Sequence, residues 1–418
     1  MSGIATLRLT PMDVALFRDA RPFSADDSMG ARLQSPLPPQ LGLLGAMRLL
    51  LLRERKLSFQ DFGQGMGAGA VGESPGQPGS LRLGPVAMAL QKDGHAEAVY
   101  GMPADVVRIL RSKGGQKDQI DQWAYQVPFP GEHGTSLPAE LTMLRPAWFR
   151  GQLLRFVSDV DALKVRGEVE SSTLPLDSLA DYLLGRQIDV TEVAADEYLK
   201  VEKRIGIERD SNTFTAVDGR LYTAEFLRAS QKAFFALPVL MADGELPKQP
   251  SVVSIGGESR PFEVARDATI RLLAEGARDE VRKALIQGGS GLEVCFRIVL
   301  LSPAPPGGDP KRGWMPNIPA IPGLRLTVFA AAVPRARWLS GWMTAERDQD
   351  GRPRNARPYI PDRSVFFIRA QGPDGGTREQ TVDAVLDEFW YRASLCLGNP
   401  FDGCAGNGVT LVGVIPNA

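Results

Sequence analysis

Over residues 4–17 the stretch IATLRLTPMDVALF alternates apolar and polar side chains around Pro11. That two-residue period predicts a half-buried strand with a bend or bulge at the proline. The period then changes. QLGLLGAMRLLLLRERK, Gln40 to Lys56, follows a proline-rich lead-in and ends in cationic residues, which predicts a core helix whose basic last turn suits the helix dipole. LDSLADYLLG (176–185) has the spacing of a short helix. It lies in a stretch, 157–200, with ten Asp/Glu against four Lys/Arg, which predicts a face toward protein or solvent. RIGIE (204–208), a polar turn around Asp210 to Asn212 and GRLYTAEFLRA (219–229) predict a long hairpin.

Farther along, EVCFRIVLL (293–301), RLTVFAAAV (325–333) and SVFFIRA (364–370) are rich in Val, Ile and Phe and separated by Pro/Gly clusters, predicting strands of a second sheet. TVDAVLDEFWYRASLCLG (381–398) spaces Val382, Val385, Leu386, Phe389 and Trp390 as a helix does. It predicts a helix with a threonine cap and a glycine stop. NPFDGCAGNG (399–408) reads as a Gly-rich loop and VTLVGVI (409–415) as a buried final strand. A ferredoxin-like domain ends in the same order. Residues 63–80 hold seven glycines with Pro75 and Pro78 and almost no large apolar side chain, predicting a flexible surface loop. Its spacing resembles a dinucleotide fingerprint only superficially, because no clear strand leads in and no helix follows.

At 418 residues the chain exceeds one ordinary hydrophobic core, so two domains are expected. The boundary is set at 235/236, giving domains 1–235 and 236–418. Hydrophobic residues at 43% and charged residues at 23% fit a folded globular protein. The longest apolar run is far shorter than the roughly 20 residues that cross a bilayer, and no secretory leader opens the chain. A cytoplasmic protein without a membrane partner is expected. Three cysteines, Cys295, Cys396 and Cys404, fit neither a disulfide framework nor a four-ligand zinc site and are read as reduced thiols.

Motifs for common chemistry are missing from the sequence: no G-x-S-x-G elbow, no G-x-x-x-x-G-K-[ST] phosphate loop and no H-E-x-x-H helix. The two histidines, His95 and His133, stand in polar Gly-containing stretches without a carboxylate or cysteine at ligand spacing. Asp26 and Asp27 read as solvated or Arg-paired rather than as a Mg²⁺ site. No catalytic residue, metal or cofactor is assigned.

Charge supplies the positive signal. The net charge is only -1, so any nucleic-acid contact must be local. From Lys311 to Arg369 there are eleven Lys/Arg against four Asp/Glu. Within that span RDQDGRPRNARPYIPDR (347–363) presents Arg352, Arg354 and Arg357 beside Tyr359, a mixture suited to phosphates and base stacking. A merely solvated basic loop would have the same composition. RDARPF (18–23) repeats the theme with Arg18, Arg21 and Phe23. Gly403, Gly406 and Gly408 permit close backbone approach or positive φ, exposing amides to an anion, although a ligand-free tight turn uses the same glycines.

Taken together, PMDVALFRDARPFSADDSMGARLQSPLPPQLGLLGAMR (11–48) resembles the opening of the third subunit of the Cmr complex, the type III-B CRISPR effector. The likeness continues through RIGIERDSNTFTAVDGRLYTAEFLR (204–228), GWMT (341–344), RPYIPDRSVFFIRA (357–370) and GNPFDGCAGNGVTLVGVI (398–415). One departure is Asn407, where that family commonly has an aromatic residue before the last glycine. The resemblance implies a RAMP-superfamily protein of α+β class: two ferredoxin-like (RRM-related) domains in tandem with long loop and hairpin insertions. It implies a non-catalytic RNA-binding role in antiviral defence. The partners implied are the crRNA, held at its repeat-derived 5′ handle, the large polymerase-like subunit, a neighbouring RAMP backbone subunit and, indirectly, target RNA. Arg32 and Arg204, inside the resembling stretches, join Arg18, Arg21, Phe23, Arg352, Arg354, Arg357, Gly403, Gly406 and Gly408 as the implied RNA-binding set. Two alternatives stand beside it: a metal-independent endoribonuclease using His95, His133 or Tyr222, and a purely architectural subunit whose arginines meet acidic neighbours.

Overall fold

The computed structural model of the chain describes residues 4–17, 36–111, 119–134, 151–156, 172–188, 193–194, 198–210, 212–213, 215–240, 246–307, 315–343, 352–396 and 400–416. It is an α+β structure of antiparallel sheets and few helices. The chain forms two compact units, each assembled from three stretches: Met1–Glu97, Ala195–Ile270 and Arg337–Pro358 make one, and Ala98–Ala194, Arg271–Ala336 and Tyr359–Ala418 the other. A single cut at 235/236, as set from the sequence, does not follow these interleaved stretches.

In the first unit, alternation makes Ile4–Pro11 a strand with Leu7 and Leu9 buried. It pairs with Ala233–Leu240 on one side and Pro261–Arg266 on the other, with Leu9 opposite Phe235 and Val264. Ala87–Gln91 adds outside Ala233–Leu240, and Ser251–Ser254 outside Pro261–Arg266. Taking Ile4–Pro11, Ala87–Gln91, Ala233–Leu240 and Pro261–Arg266 as first to fourth in sequence, their spatial order is second, third, first, fourth. The rings of Phe17, Phe235 and Phe262 cluster, with Phe17 edge-on to Phe235 at 5.9 Å. Burial of each such side chain contributes about 1.5–3 kcal/mol.

The expected strand bends after Pro11 and resumes as Val14–Ala15, which pairs with Leu227 and Arg228 of a long hairpin. That hairpin joins Leu199–Arg209 to Ala216–Ala229, and its turn is pinned by the Asp210 carboxylate accepting from the backbone of Asn212 and Thr213. The predicted helix forms over Gln40–Glu54 and buries Leu43, Leu44, Met47, Leu50 and Leu51 on one face. Residues 63–80 are not the expected flexible loop. Ala70 and Val71 are fully buried, and the Arg48 guanidinium donates to the carbonyls of Val71, Ser74, Pro75 and Gln77. The glycines serve this wrapping: a Cβ on Gly79 would lie 2.2 Å from the Ala70 carbonyl oxygen. A long-range arginine replaces the missing apolar side chains, and composition alone does not show it.

In the second unit, Arg325–Ala332, Val365–Gln371, Glu293–Leu300 and Thr410–Gly413 lie side by side in that order, all antiparallel. Numbered by sequence, the order is again second, third, first, fourth. Val365 to Ile368 are fully buried, so both sheet faces are covered. The helix placed by sequence at 381–398 is Arg378–Phe389: it starts earlier because Thr377 and Gln380 form a reciprocal capping box, and it ends at Phe389 with Trp390 as its cap. Thr381, the expected cap, is inside it and buried. Beside it, Ala277–Gln287 is held by paired hydrogen bonds from Arg282 to Asp383, at 2.6 and 2.9 Å. The expected Gly-rich loop contains a short helix, Pro400–Ala405.

The predicted helix at 176–185 forms as Leu176–Leu183 and carries a polar knot into this core. Arg297, on the first strand of the sheet, donates to Asp105 at 2.7 Å and to the Tyr182 carbonyl, with its guanidinium 3.8 Å from the Tyr182 ring centroid. The Tyr182 hydroxyl completes the knot by donating to Asp105 at 2.9 Å. Arg297 and Asp105 are fully buried, a placement tolerated because each charge has the other as partner. Among the described residues no helix is long and apolar enough to cross a membrane.

Candidate nucleic-acid interface

Arg204 lies on the hairpin strand Leu199–Arg209, and the fold surrounds it with charges far apart in sequence. It donates to Glu202 at 2.7 Å and lies 3.6 Å from Asp13 at the chain bend. Arg228, on the paired strand, donates to the same Glu202 at 2.6 Å and approaches Asp13 at 3.1 Å. Arg260 reaches Asp13 at 3.9 Å and Glu258 at 2.5 Å. Beneath them, the Phe226 ring has Arg204 and Arg260 guanidinium carbons 5.1 and 4.8 Å from its centroid. Hydrogen bonds from Arg228 and Arg204 hold the Glu202 carboxyl below its ordinary range. Three guanidinia and three carboxylates thus balance one another, so a phosphate here must displace an acid.

Arg352, Arg354 and Arg357 sit in a different setting. The chain runs out through Arg337–Leu339 and Trp342–Met343 and returns through Arg352–Pro353 and Arg357–Tyr359. Trp342 pairs with Pro353, Met343 with Arg352, and the Arg354 amide donates to the Gly341 carbonyl at 2.7 Å. The result is a ribbon instead of a shapeless loop. Arg354 and Arg357 are exposed on it. The described residues 333–343 and 352–361 contain no Asp or Glu, while Glu346, Asp348 and Asp350 belong to the intervening residues outside those described.

Tyr359, expected beside these arginines as a stacking ring, is turned inward. It is 5% exposed and its hydroxyl donates to Asp402 at 3.0 Å. Among the ribbon side chains that are described, Trp338 is an exposed aromatic ring, 51% exposed. Sequence reasoning missed it because the run of arginines lies on the returning strand and Trp338 on the outgoing one.

The terminal glycines work within the fold. Gly406 and Gly408 have φ of +77° and +65° and are buried. Their amides donate to the carbonyls of Gly403 and Pro303, at 3.2 and 2.9 Å. The expected exposure of these two amides to an anion is therefore not what the structure has; Gly403, within the short helix, remains half-exposed. Asn407 is 1% exposed and its side-chain amide donates to Asp402 at 2.6 Å. The Cys396 thiol donates to the Asn407 carbonyl at 2.8 Å, and burial pushes its pKa up. A small internal polar network occupies the place where the resemblance expects an aromatic residue.

Arg18, Arg21, Phe23 and Arg32, with Asp26 and Asp27, lie outside the described residues. His95 sits in a hairpin turn, its Nε2 3.0 Å from Glu97 and its Nδ1 3.2 Å from the Asp93 carbonyl. His133 and Tyr222 lie on the strands Gln119–Gly134 and Ala216–Ala229. Among the described residues no group of three or more His, Cys, Asp or Glu is placed to hold a metal ion.

No curated protein matches the chain. Among solved structures, it is similar to a chain of the type III-B Cmr-beta bound to cognate target RNA, with 13% identity, TM-score 0.40, and coverage of 87% of this chain and 86% of the other. A chain of the same assembly with target RNA and AMPPnP gives 11% identity, TM-score 0.43, and coverage of 92% and 89%. The model of the CRISPR-associated protein family Cas_Cmr3 matches residues 7–388, most of the described framework. The chain therefore belongs to the Cas_Cmr3 family, in agreement with its resemblance to the third subunit of the Cmr complex.

Proposed function

We propose that this protein is a non-catalytic RNA-binding subunit of a type III-B CRISPR effector complex, holding the repeat-derived 5′ handle of the crRNA and docking on the large polymerase-like subunit. Family membership supports its place in the complex. The observation that carries RNA binding is the ribbon, which presents exposed Arg354 and Arg357 on a hydrogen-bonded backbone scaffold. Guanidinia so placed neutralise phosphates and release their counterions.

The fold proposed for this role is a tandem of ferredoxin-like halves. Both sheets have the second-third-first-fourth strand order of that fold. Each keeps one helix in the expected place, Gln40–Glu54 after the first strand of one unit and Arg378–Phe389 after the third strand of the other. The non-catalytic assignment draws support from His95, whose ring is occupied in bracing its own turn.

The test is ultraviolet crosslinking of guide RNA in the assembled complex, with handle nucleotides expected to crosslink within 337–358. If crosslinks never land on this chain, the architectural reading replaces this one. Incubating the purified chain with labelled repeat RNA in EDTA tests catalysis separately. Intact RNA is expected, and discrete cleavage lost in His133→Ala would establish an endoribonuclease.

A further inference from the structure

We infer that Arg297 is a conformational lock, which fixes the helix Leu176–Leu183 and the strand Gln119–Gly134 in one pose on the second sheet and costs stability in doing so. The lock acts within the second unit and stands apart from the guide-RNA reading. Its sequence signature is an arginine inside the apolar strand Glu293–Leu300. Strand alternation sends Phe296 and Ile298 to one face and Arg297 to the other. Phe296 meets Phe389 of the helix Arg378–Phe389, with ring centroids 6.1 Å apart. Arg297 therefore faces the opposite side of the sheet, where Asp105, Tyr125 and Tyr182 enclose it.

Groups distant in sequence converge on the guanidinium. Nη1 donates to Asp105 and Nη2 to the Tyr182 carbonyl, and the central carbon lies 3.8 Å from the Tyr182 ring centroid and 4.9 Å from that of Tyr125. Tyr125, on the strand Gln119–Gly134, donates its hydroxyl to the Arg186 carbonyl at 2.6 Å, just beyond the helix Leu176–Leu183. The final strand closes the junction. The Val414 amide donates to the Leu183 carbonyl at 2.7 Å, and a Cβ on Gly413 would crowd Arg297 Nε at 3.3 Å. Arg297 and Asp105 are both fully buried, so each charge has given up its hydration. An apolar set of similar volume would fill this space without that desolvation cost. Apolar packing lacks direction, whereas the planar fork of Arg297 meets Asp105 and the Tyr182 carbonyl together in one arrangement only. The charges thus specify the pose.

The test uses the full-length chain and a triple variant, Asp105→Leu with Tyr182→Phe and Arg297→Met, which removes both charges and the hydroxyl that would lose its acceptor. The Tyr182 carbonyl keeps the Gly185 amide as a donor at 3.0 Å. The triple variant should melt at or above the wild-type temperature. Hydrogen exchange at the Val414 amide and at helix residues 179–183 should nonetheless quicken by about tenfold or more, while the amides of 294–299 stay protected. Arg297→Met alone leaves the Asp105 carboxylate buried without its partner and should melt roughly 6–20 °C lower. Wild-type exchange at Val414 in the triple variant overturns the lock, because apolar packing then sets the pose. A triple variant that melts well below wild type overturns it too, since the charges would be stabilising the unit instead of specifying its pose. So does Arg297→Met with the wild-type melting temperature.

Discussion

The terminal loop and the arginine ribbon have similar sequences by the usual criteria: short, punctuated by Gly or Pro, and polar enough to meet an anion. They differ in where their polar groups find partners. At Gly406–Gly408 the amides, Asp402, Asn407 and the Cys396 thiol bond to one another and to Pro303 and Tyr359. On the ribbon the backbone is satisfied by strand pairing, and Arg354 and Arg357 reach solvent. Buried polar groups that bond to one another make structure, while charges left at the surface of a rigid scaffold make a binding site.

The largest effect that separates the two should come from Gly408→Val. Its φ of +65° is hostile to a β-branched residue, and a Cβ there would lie 2.8 Å from the Cys396 sulfur. Strain and overpacking together should destabilise the protein by roughly 2–6 kcal/mol. Thermal unfolding should show the loss, while RNA affinity of molecules still folded at low temperature stays unchanged. Normal stability with weakened RNA binding would reverse the assignment and make this loop the ligand site.

Next is the ribbon. Replacing Arg352, Arg354 and Arg357 together by Ala should leave the melting temperature nearly unchanged and reduce the salt dependence of RNA binding. Each phosphate deprived of its arginine should lower the log-log slope by roughly 0.7, so the triple variant by roughly 2. An unchanged slope in a folded variant removes the ribbon from the interface.

Much of the framework was legible in sequence because periodicity reports burial. Leu7 and Leu9 alternate with polar neighbours, and Val382, Val385, Leu386 and Phe389 repeat at helical spacing, so strand and helix are readable from single segments. Ends were less legible: the helix begins at Arg378 because of the Thr377–Gln380 box, a local signal competing with the apolar pattern that starts later. Partnerships over long sequence distances were not legible. Nothing near residues 63–80 announces Arg48 as their anchor, and nothing in RIGIE announces Asp13 or Arg228 beside Arg204. For the candidate site, composition found the arginines but not which of them are already neutralised. It also chose Tyr359 as an exposed ring, although the fold turns that side chain inward to Asp402.

The hairpin base sharpens the comparison, because it has both exposed arginines and internal partners. Glu202→Gln removes the carboxylate that Arg204 and Arg228 share. Where these arginines border the RNA path, releasing them should raise the salt slope by roughly 0.7 for each one that reaches a phosphate. A slope equal to wild type assigns the cluster to the fold alone, as the brace between the chain bend at Asp13 and the hairpin.

The smallest expected effect is the pH response of the same cluster. Glu202 is held below its ordinary value of 4.5 by the two guanidinia that bond to it, so the folded protein binds a proton there less readily than the unfolded chain. Its contribution to stability is therefore full above about pH 5 and declines as acid is added through the ordinary carboxylate range toward the depressed folded pKa. Its exposed position and solvent screening keep that contribution small. Protonation also releases Arg204 and Arg228, with Asp13 and Glu258 the other acids facing them and Arg260 the remaining base. The difference in unfolding free energy between wild type and Glu202→Gln should shrink as pH falls below 4.5, since the glutamine carries no titrating proton. Parallel pH profiles for the two proteins would show that the Glu202 carboxylate does not stabilise the hairpin base.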